Sequence, residues 1–132
     1  MKKLIRNSVW ETNSSSCHSL TFASKDMDFA FDMIYPDDEG NITLGVGEYG
    51  WAFDKINNAY DKADYLSLLS AIDQNMLREV ILEVTGANSV TFVDHGYIDH
   101  QSNYGSNDEL KTKEGIKNFI FNKNSFLFTG ND

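Results

Sequence analysis

Tyr65-Leu66-Ser67-Leu68-Leu69-Ser70-Ala71-Ile72-Asp73-Gln74-Asn75-Met76-Leu77-Arg78-Glu79-Val80-Ile81-Leu82-Glu83-Val84-Thr85-Gly86-Ala87-Asn88-Ser89-Val90-Thr91-Phe92-Val93 changes its apolar pattern twice, and those changes decide the fold. Tyr65, Leu66, Leu68, Leu69 and Ile72 recur at helical spacing, with Asp61 or Asp64 expected near the start of the helix. Asp73 and Gln74 interrupt the stripe. Met76, Leu77, Val80, Ile81 and Val84 then form a second helical face, and Gly86 is placed to end it as a C-cap. Ser89 to Val93 is β-branched and aromatic, which predicts a buried strand. Two helices joined this tightly pack against each other or side by side on a sheet.

Working outward, Asp94 to Ser102 leaves that strand and 103–107 is a Gly/Ser/Asn loop. Residues 107–121 read as a weaker helix broken by Gly115, with Leu110, Ile116, Phe119 and Ile120 offered to the core. Ser125 to Thr129 reads as a last strand. Upstream, the odd positions Met27, Phe29, Phe31, Met33 and Tyr35 alternate with Asp26, Asp28, Ala30, Asp32 and Ile34. Period two predicts a half-buried strand, although Asp is a poor strand residue and leaves a helical alternative open. In a strand Asp26 and Asp28 share a face, roughly 7 Å apart. Pro36 to Asn41 is a turn by composition, and Ile42 to Val46 reads as the returning strand of an antiparallel hairpin. Gly45, Gly47 and Gly50 mark places where backbone can approach closely. Lys2 to Asn7 and Ser19 to Ala23 are two further strand candidates. The expectation is one α+β domain over 1–132, with a mainly antiparallel sheet and two to three helices packed on it.

The totals narrow the function classes. A chain of 132 residues, 41% hydrophobic and 13% aromatic, has enough apolar surface for one core without metal or disulfide staples. The single cysteine, Cys17, excludes an internal disulfide framework and suits a reducing compartment. Met1 to Arg6 turns polar too soon for a signal peptide, and no apolar run reaches the length of a membrane span. A cytoplasmic protein is expected. The net charge of −9, from 20 acidic and 11 basic residues, disfavours direct binding to nucleic-acid phosphates, which needs Lys and Arg. It favours solubility and attraction to basic protein surfaces.

The side chains able to do chemistry fall in two clusters, Cys17-His18 and His95 with His100. Four such ligands match a tetrahedral zinc site in number, but adjacent Cys17 and His18 diverge in an extended chain. His18, His95 and His100 with a water in the fourth place would make a catalytic site for zinc or another divalent metal, with Asp94 or Asp99 as ligand, support or general base. No cofactor is otherwise expected. A nucleophile reading pairs Cys17 with His18, or one of Ser14, Ser15, Ser16 and Ser19 with a histidine, His18 or His100, and has Asp94 or Asp99 orient the base. Neither a nucleophile elbow nor a papain-like cysteine signature is present. The plainer reading has the serines capping a turn and Cys17 buried as a small residue. Thr12 to Ser19 is dense in donors that could cradle an anion or nucleotide, with Asn13, Ser14 and Ser102 as candidate ligand-binding residues, although no phosphate-loop glycine pattern accompanies them.

Asp26, Asp28, Asp32, Asp37, Asp38 and Glu39 form the densest charge cluster. A row of carboxylates can imitate a nucleic-acid backbone and compete for a basic channel on another protein. The plainer reading is a solvated face and turn. Trp51, Tyr97 and Tyr104 are candidate interface anchors, or core residues.

Arg6-Asn7-Ser8-Val9-Trp10-Glu11-Thr12-Asn13-Ser14-Ser15-Ser16-Cys17-His18-Ser19-Leu20 resembles a recurrent N-terminal motif of small proteins from bacteriophages and mobile elements of Gram-positive bacteria. That motif has an aromatic at the place of Trp10, then Glu-Thr-Asn-Ser-Ser-Ser, one variable residue, His and Ser. Gly47 to Trp51, Asp61-Lys62 with Tyr65-Leu66, and Ile98 to Ser102 are similar to later pieces of the same group. The resemblance implies a phage or prophage setting and an intracellular life, and transfers no catalytic role. It puts Cys17 in the variable place and shifts weight to Asn13, Ser16, His18 and His100. Two readings follow. The first is a small acidic phage accessory protein that binds and inhibits a host protein with a basic surface, such as a nucleic-acid-handling or CRISPR-type defence complex. The second is a hydrolase or nucleotide- or ligand-binding domain, with its pocket built from Thr12–Ser19 and Asp94–Ser102.

Overall fold

The computed structural model describes residues 16–49, 54–70, 72–98 and 108–131. The fold is α+β. In chain order the elements are β1 (Ser16–Thr21), β2 (Asn41–Leu44), β3 (Glu48–Tyr49), β4 (Asp54–Ile56), α1 (Ala59–Ser67), α2 (Gln74–Thr85), β5 (Ser89–Phe92), β6 (Tyr97–Ile98), α3 (Lys113–Phe121) and β7 (Phe126–Asn131). A single 3₁₀ turn, Asp108–Lys111, precedes α3.

The caps explain the helices. Asn58 accepts from the Asp61 amide at the start of α1, Asp73 from Met76 at α2, and Thr112 from Gly115 at α3. Each satisfies an amide that has no partner inside its helix. Asp73, read as an interruption, is therefore the residue that starts α2. Gly86 ends α2 in the left-handed region at φ 71° and donates its N–H to the Leu82 carbonyl, as the sequence predicts. Gly115 does not break the third helix; it lies in its first turn, and the break falls at Thr112. Of the two acidic residues expected near the start of α1, Asp61 lies in its first turn, whereas Asp64 is inside the helix and fully buried.

Three small sheets pack around these helices. β7 is the centre of an antiparallel sheet in the order β1-β7-β4, with Ser16 opposite Asn131 and Asp54 opposite Thr129. β2 pairs parallel with β5, and β3 pairs parallel with β6. The expected hairpin of residues 26–46 does not form. The turn is real: Asp37 Oδ1 accepts from the Glu39 and Asn41 amides, and the Asp37 amide donates to the Asn41 carbonyl. It leads into β2 from an irregular segment, and β2 takes Ser89–Phe92 as its partner. The reason is local: residues 25–27 turn, the Met27 amide donates to the Ser24 carbonyl, and only Phe31 keeps a bridge, to Asn122.

One cluster fills the core. Leu66 and Leu69 from the α1 region, Leu77 and Ile81 from α2, Ile116 and Phe119 from α3, and Leu44 and Leu127 from the strands are all buried in it. Leu110, Ile116, Phe119 and Ile120 sit there as the sequence predicts. No helix among the described residues is long and apolar enough to cross a membrane.

Candidate functional site

The polar residues of interest divide into a buried network and an exposed ribbon. Alternation along β1 turns His18 inward, where it is 3% exposed. Its Nδ1 lies 3.0 Å from the hydroxyl of Tyr65, itself fully buried on α1. Beside it on the same helix, Asp64 Oδ1 accepts from the amides of Gly45 (2.6 Å) and Val46 (3.1 Å). Asp64 Oδ2 accepts from the Gly47 amide (2.9 Å) and the Tyr49 hydroxyl (2.7 Å). Three successive amides pointing at one carboxylate form an anion-binding nest. An anion-cradling loop thus exists at 45–47, and its anion is the chain's own Asp64. Gly45 makes the turn feasible: its φ is +100°, and a Cβ there would collide with the Val93 carbonyl. Burial pushes the Tyr49 phenol up, and the Asp64 carboxylate adds to that shift.

A third buried polar side chain is Lys62, also on α1. Its Nζ donates to the carbonyls of Asn122 and Ser125, each at 2.8 Å. Burial pushes its ammonium down to about 7, with the Asp32 carboxylate opposing that fall. Lys62, Asp64 and Tyr65 were not singled out by sequence as site residues. In the sequence Tyr65 reads as part of an apolar helical stripe, Asp64 as a helix-start signal, and Lys62 stands out only through the resemblance.

The ribbon is residues 26–39. Its apolar side chains face the opposite way from the predicted arrangement. Met27, Phe29 and Phe31 are 48%, 47% and 54% exposed and Tyr35 is 82% exposed, whereas Ile34 is buried. Phe31 lies flat on Phe121, with ring centroids 6.1 Å apart and planes 13° from parallel. The six carboxylates have different tasks. Asp32 Oδ2 accepts from the Ala59 amide at 2.7 Å, which places a negative charge at the start of α1. Asp37 builds the turn into β2. Asp26, Asp28, Asp38 and Glu39 are exposed. Between Asp26 and Glu39 there is no Lys, Arg or His. The signal that could have corrected the facing is that Asp density: a strand with one face buried seldom carries three aspartates in seven residues.

Of the predicted pocket, Asn13, Ser14, Asp99, His100 and Ser102 lie outside the described residues, as do Trp51, Tyr104 and the strand candidate Lys2–Asn7. Ser16 begins β1, opposite Asn131. His95 is exposed in the segment between β5 and β6, and its amide donates to the Gly45 carbonyl. No group of three metal-ligating side chains gathers among the described residues. A comparison of the chain with protein-family models, with curated proteins and with solved structures finds no match.

Proposed function

We propose that this chain is a small acidic accessory protein, of the phage or prophage setting its N-terminal motif resembles, that binds and inhibits a host protein through the ribbon 26–39. The observation that supports the reading is the exposure of Met27, Phe29, Phe31 and Tyr35 among the carboxylates. Large exposed apolar side chains gathered in one segment mark interaction surfaces, and aromatic anchors supply most of the energy there. The carboxylates set the sign of the partner, a basic surface, and steer its approach. A protein that handles nucleic acid, such as a CRISPR-type defence complex, presents such a surface.

The test is capture from a lysate of the Gram-positive host that the resemblance implies. Wild type is compared with Asp26→Lys/Asp28→Lys/Asp38→Lys, three positions whose side chains carry no fold-defining bond. Asp32 and Asp37 are spared because they hold α1 and the turn. The expected result is a basic protein retained by wild type and lost by the charge-reversed variant, which remains folded. Equal retention by both would refute the acidic surface.

A further inference from the structure

We propose that the ribbon takes its partner by β-strand addition: an extended, basic segment of the partner hydrogen-bonds along the outer edge of residues 29–33. The proposal rests on the binding reading above and specifies its mode.

The inner edge of this stretch is already paired. The Lys123 amide donates to the Ala30 carbonyl at 2.8 Å, and the Asp32 amide donates to the Phe121 carbonyl at 2.9 Å. The Ala30 amide donates to Asn122 Oδ1, and Asn124 Nδ2 donates to the Asp28 carbonyl. Every one of these bonds uses an even-numbered residue. In extended chain, successive residues direct their backbone groups to opposite edges and their side chains to opposite faces. The N–H and C=O groups of Phe31, between the paired Ala30 and Asp32, therefore face the other edge, and neither they nor those of Phe29 and Met33 have a protein partner among the described residues. Their neighbours on the same period, Met27 and Tyr35, are exposed as well. An open backbone edge that carries exposed aromatics is a template for another strand, which natural proteins ordinarily blunt with charged side chains, above all lysine, with proline or with a covering loop. The charges here are all carboxylates, which repel an acidic strand and admit a basic one. Here proline is absent until Pro36 and lysine is absent throughout 26–39.

The occupant follows from charge and shape. A second copy of this chain would bring its own ribbon of six carboxylates and a net charge of −9 to the contact. Like charges disfavour that pairing. A strand alternating basic and apolar residues reverses the sign. Its apolar side chains can enter the groove of about 570 Å³ whose walls include Phe29, Phe31, Val80 and Val84. The same walls carry Lys117 and Lys113, the latter paired with Glu79 and Glu83, so the basic side chains of the strand belong on the opposite face, toward the aspartates. Its basic side chains reach Asp26 and Asp28. Main-chain bonds supply affinity in this mode and alternate side chains supply specificity.

The probe is a synthetic nine-residue peptide of alternating lysine and valine, titrated to millimolar concentration and followed by NMR. Binding should slow hydrogen exchange of the Phe31 amide at least tenfold. Phe31→Leu, which keeps the amide and removes the ring, measures what the aromatic side chain alone contributes. Phe31→Pro, which also removes a donor with no internal partner, should lose at least tenfold more in affinity than Phe31→Leu, with the rest of the spectrum preserved. If Phe31→Pro fails to fold, amide exchange in the wild type decides. Binding without protection of the Phe31 amide, or equal affinity of the leucine and proline variants, overturns strand addition and leaves the acidic surface standing. Absence of binding at millimolar peptide also overturns strand addition, and the charge-reversal capture then judges the surface separately.

Discussion

Lys62 is the residue whose position most constrains this molecule. It is an ammonium held without solvent contact, and its two carbonyl partners fix the turn between α3 and β7 from beneath. With a folded value near 7 against an ordinary 10.5, the unfolded chain binds more protons than the folded one between those limits. Stability contributed by this residue therefore rises with pH from about 7 to about 10 and is level outside that window. The neutral amine still has two N–H groups, so both bonds survive deprotonation. Lys62→Met should cost about 2 kcal/mol near pH 10, where the buried amine is neutral and the change is that two buried carbonyls lose their donor. It should also lack the rise between pH 7 and 10, which urea unfolding at several pH values will show. Asp64 is the second such residue. Asp64→Asn keeps the shape but turns an N–H₂ toward the Gly47 amide and the Tyr49 hydroxyl. The expected loss is about 3 kcal/mol, read by the same unfolding measurement. Neither residue looks special in sequence. Lys62 and Asp64 stand among charged residues on a helix whose polar positions normally face water, and only tertiary packing from 45–49 and 122–125 buries them.

At the scale of elements, legibility follows sequence distance. α2 is legible because its signals are local: its apolar face and the Gly86 C-cap can be read directly, and Asp73, which reads as an interruption, is the cap at its other end. Asp73→Ala should cost about 1 kcal/mol, the usual value of a lost N-cap. Gly86→Ala should cost a comparable amount, about 1 kcal/mol, through backbone strain alone, since a Cβ there meets nothing within 4 Å. Thermal melts of the two variants and their double mutant should show nearly additive losses. Pairing is another matter. β2 lies beside β5, with α1 and α2 between them in sequence. Nothing in Asn41–Leu44 itself distinguishes a parallel partner far downstream from the nearer antiparallel one. The ribbon was misread for a related reason: alternation reveals a period but not which of two faces is dry. Its correct facing required knowing that Asp32 caps α1 and that Phe121, under Phe31, is buried. The candidate histidines were legible as residues, and His18 is turned inward on β1. Their meeting as a site depends on residues beyond those described.

For the whole molecule, the surplus of nine negative charges sets the terms of any encounter. Association with a basic partner should slow by an order of magnitude or more between about 20 and 200 mM salt, while dissociation changes little. Stopped-flow mixing at several ionic strengths with the captured partner will check this. A salt-independent association rate would assign recognition to the aromatics alone. The connection of β1 to β7 has a consequence for biosynthesis. Thr21 pairs with Phe126, so β1 leaves the ribosome long before its partner exists. At translation speeds of about 5–20 residues per second, about a hundred residues of separation is a wait on the order of 5–20 s. During that interval the antiparallel sheet has no central strand. The nascent chain must carry β1 as a strand without a partner until its last strand arrives.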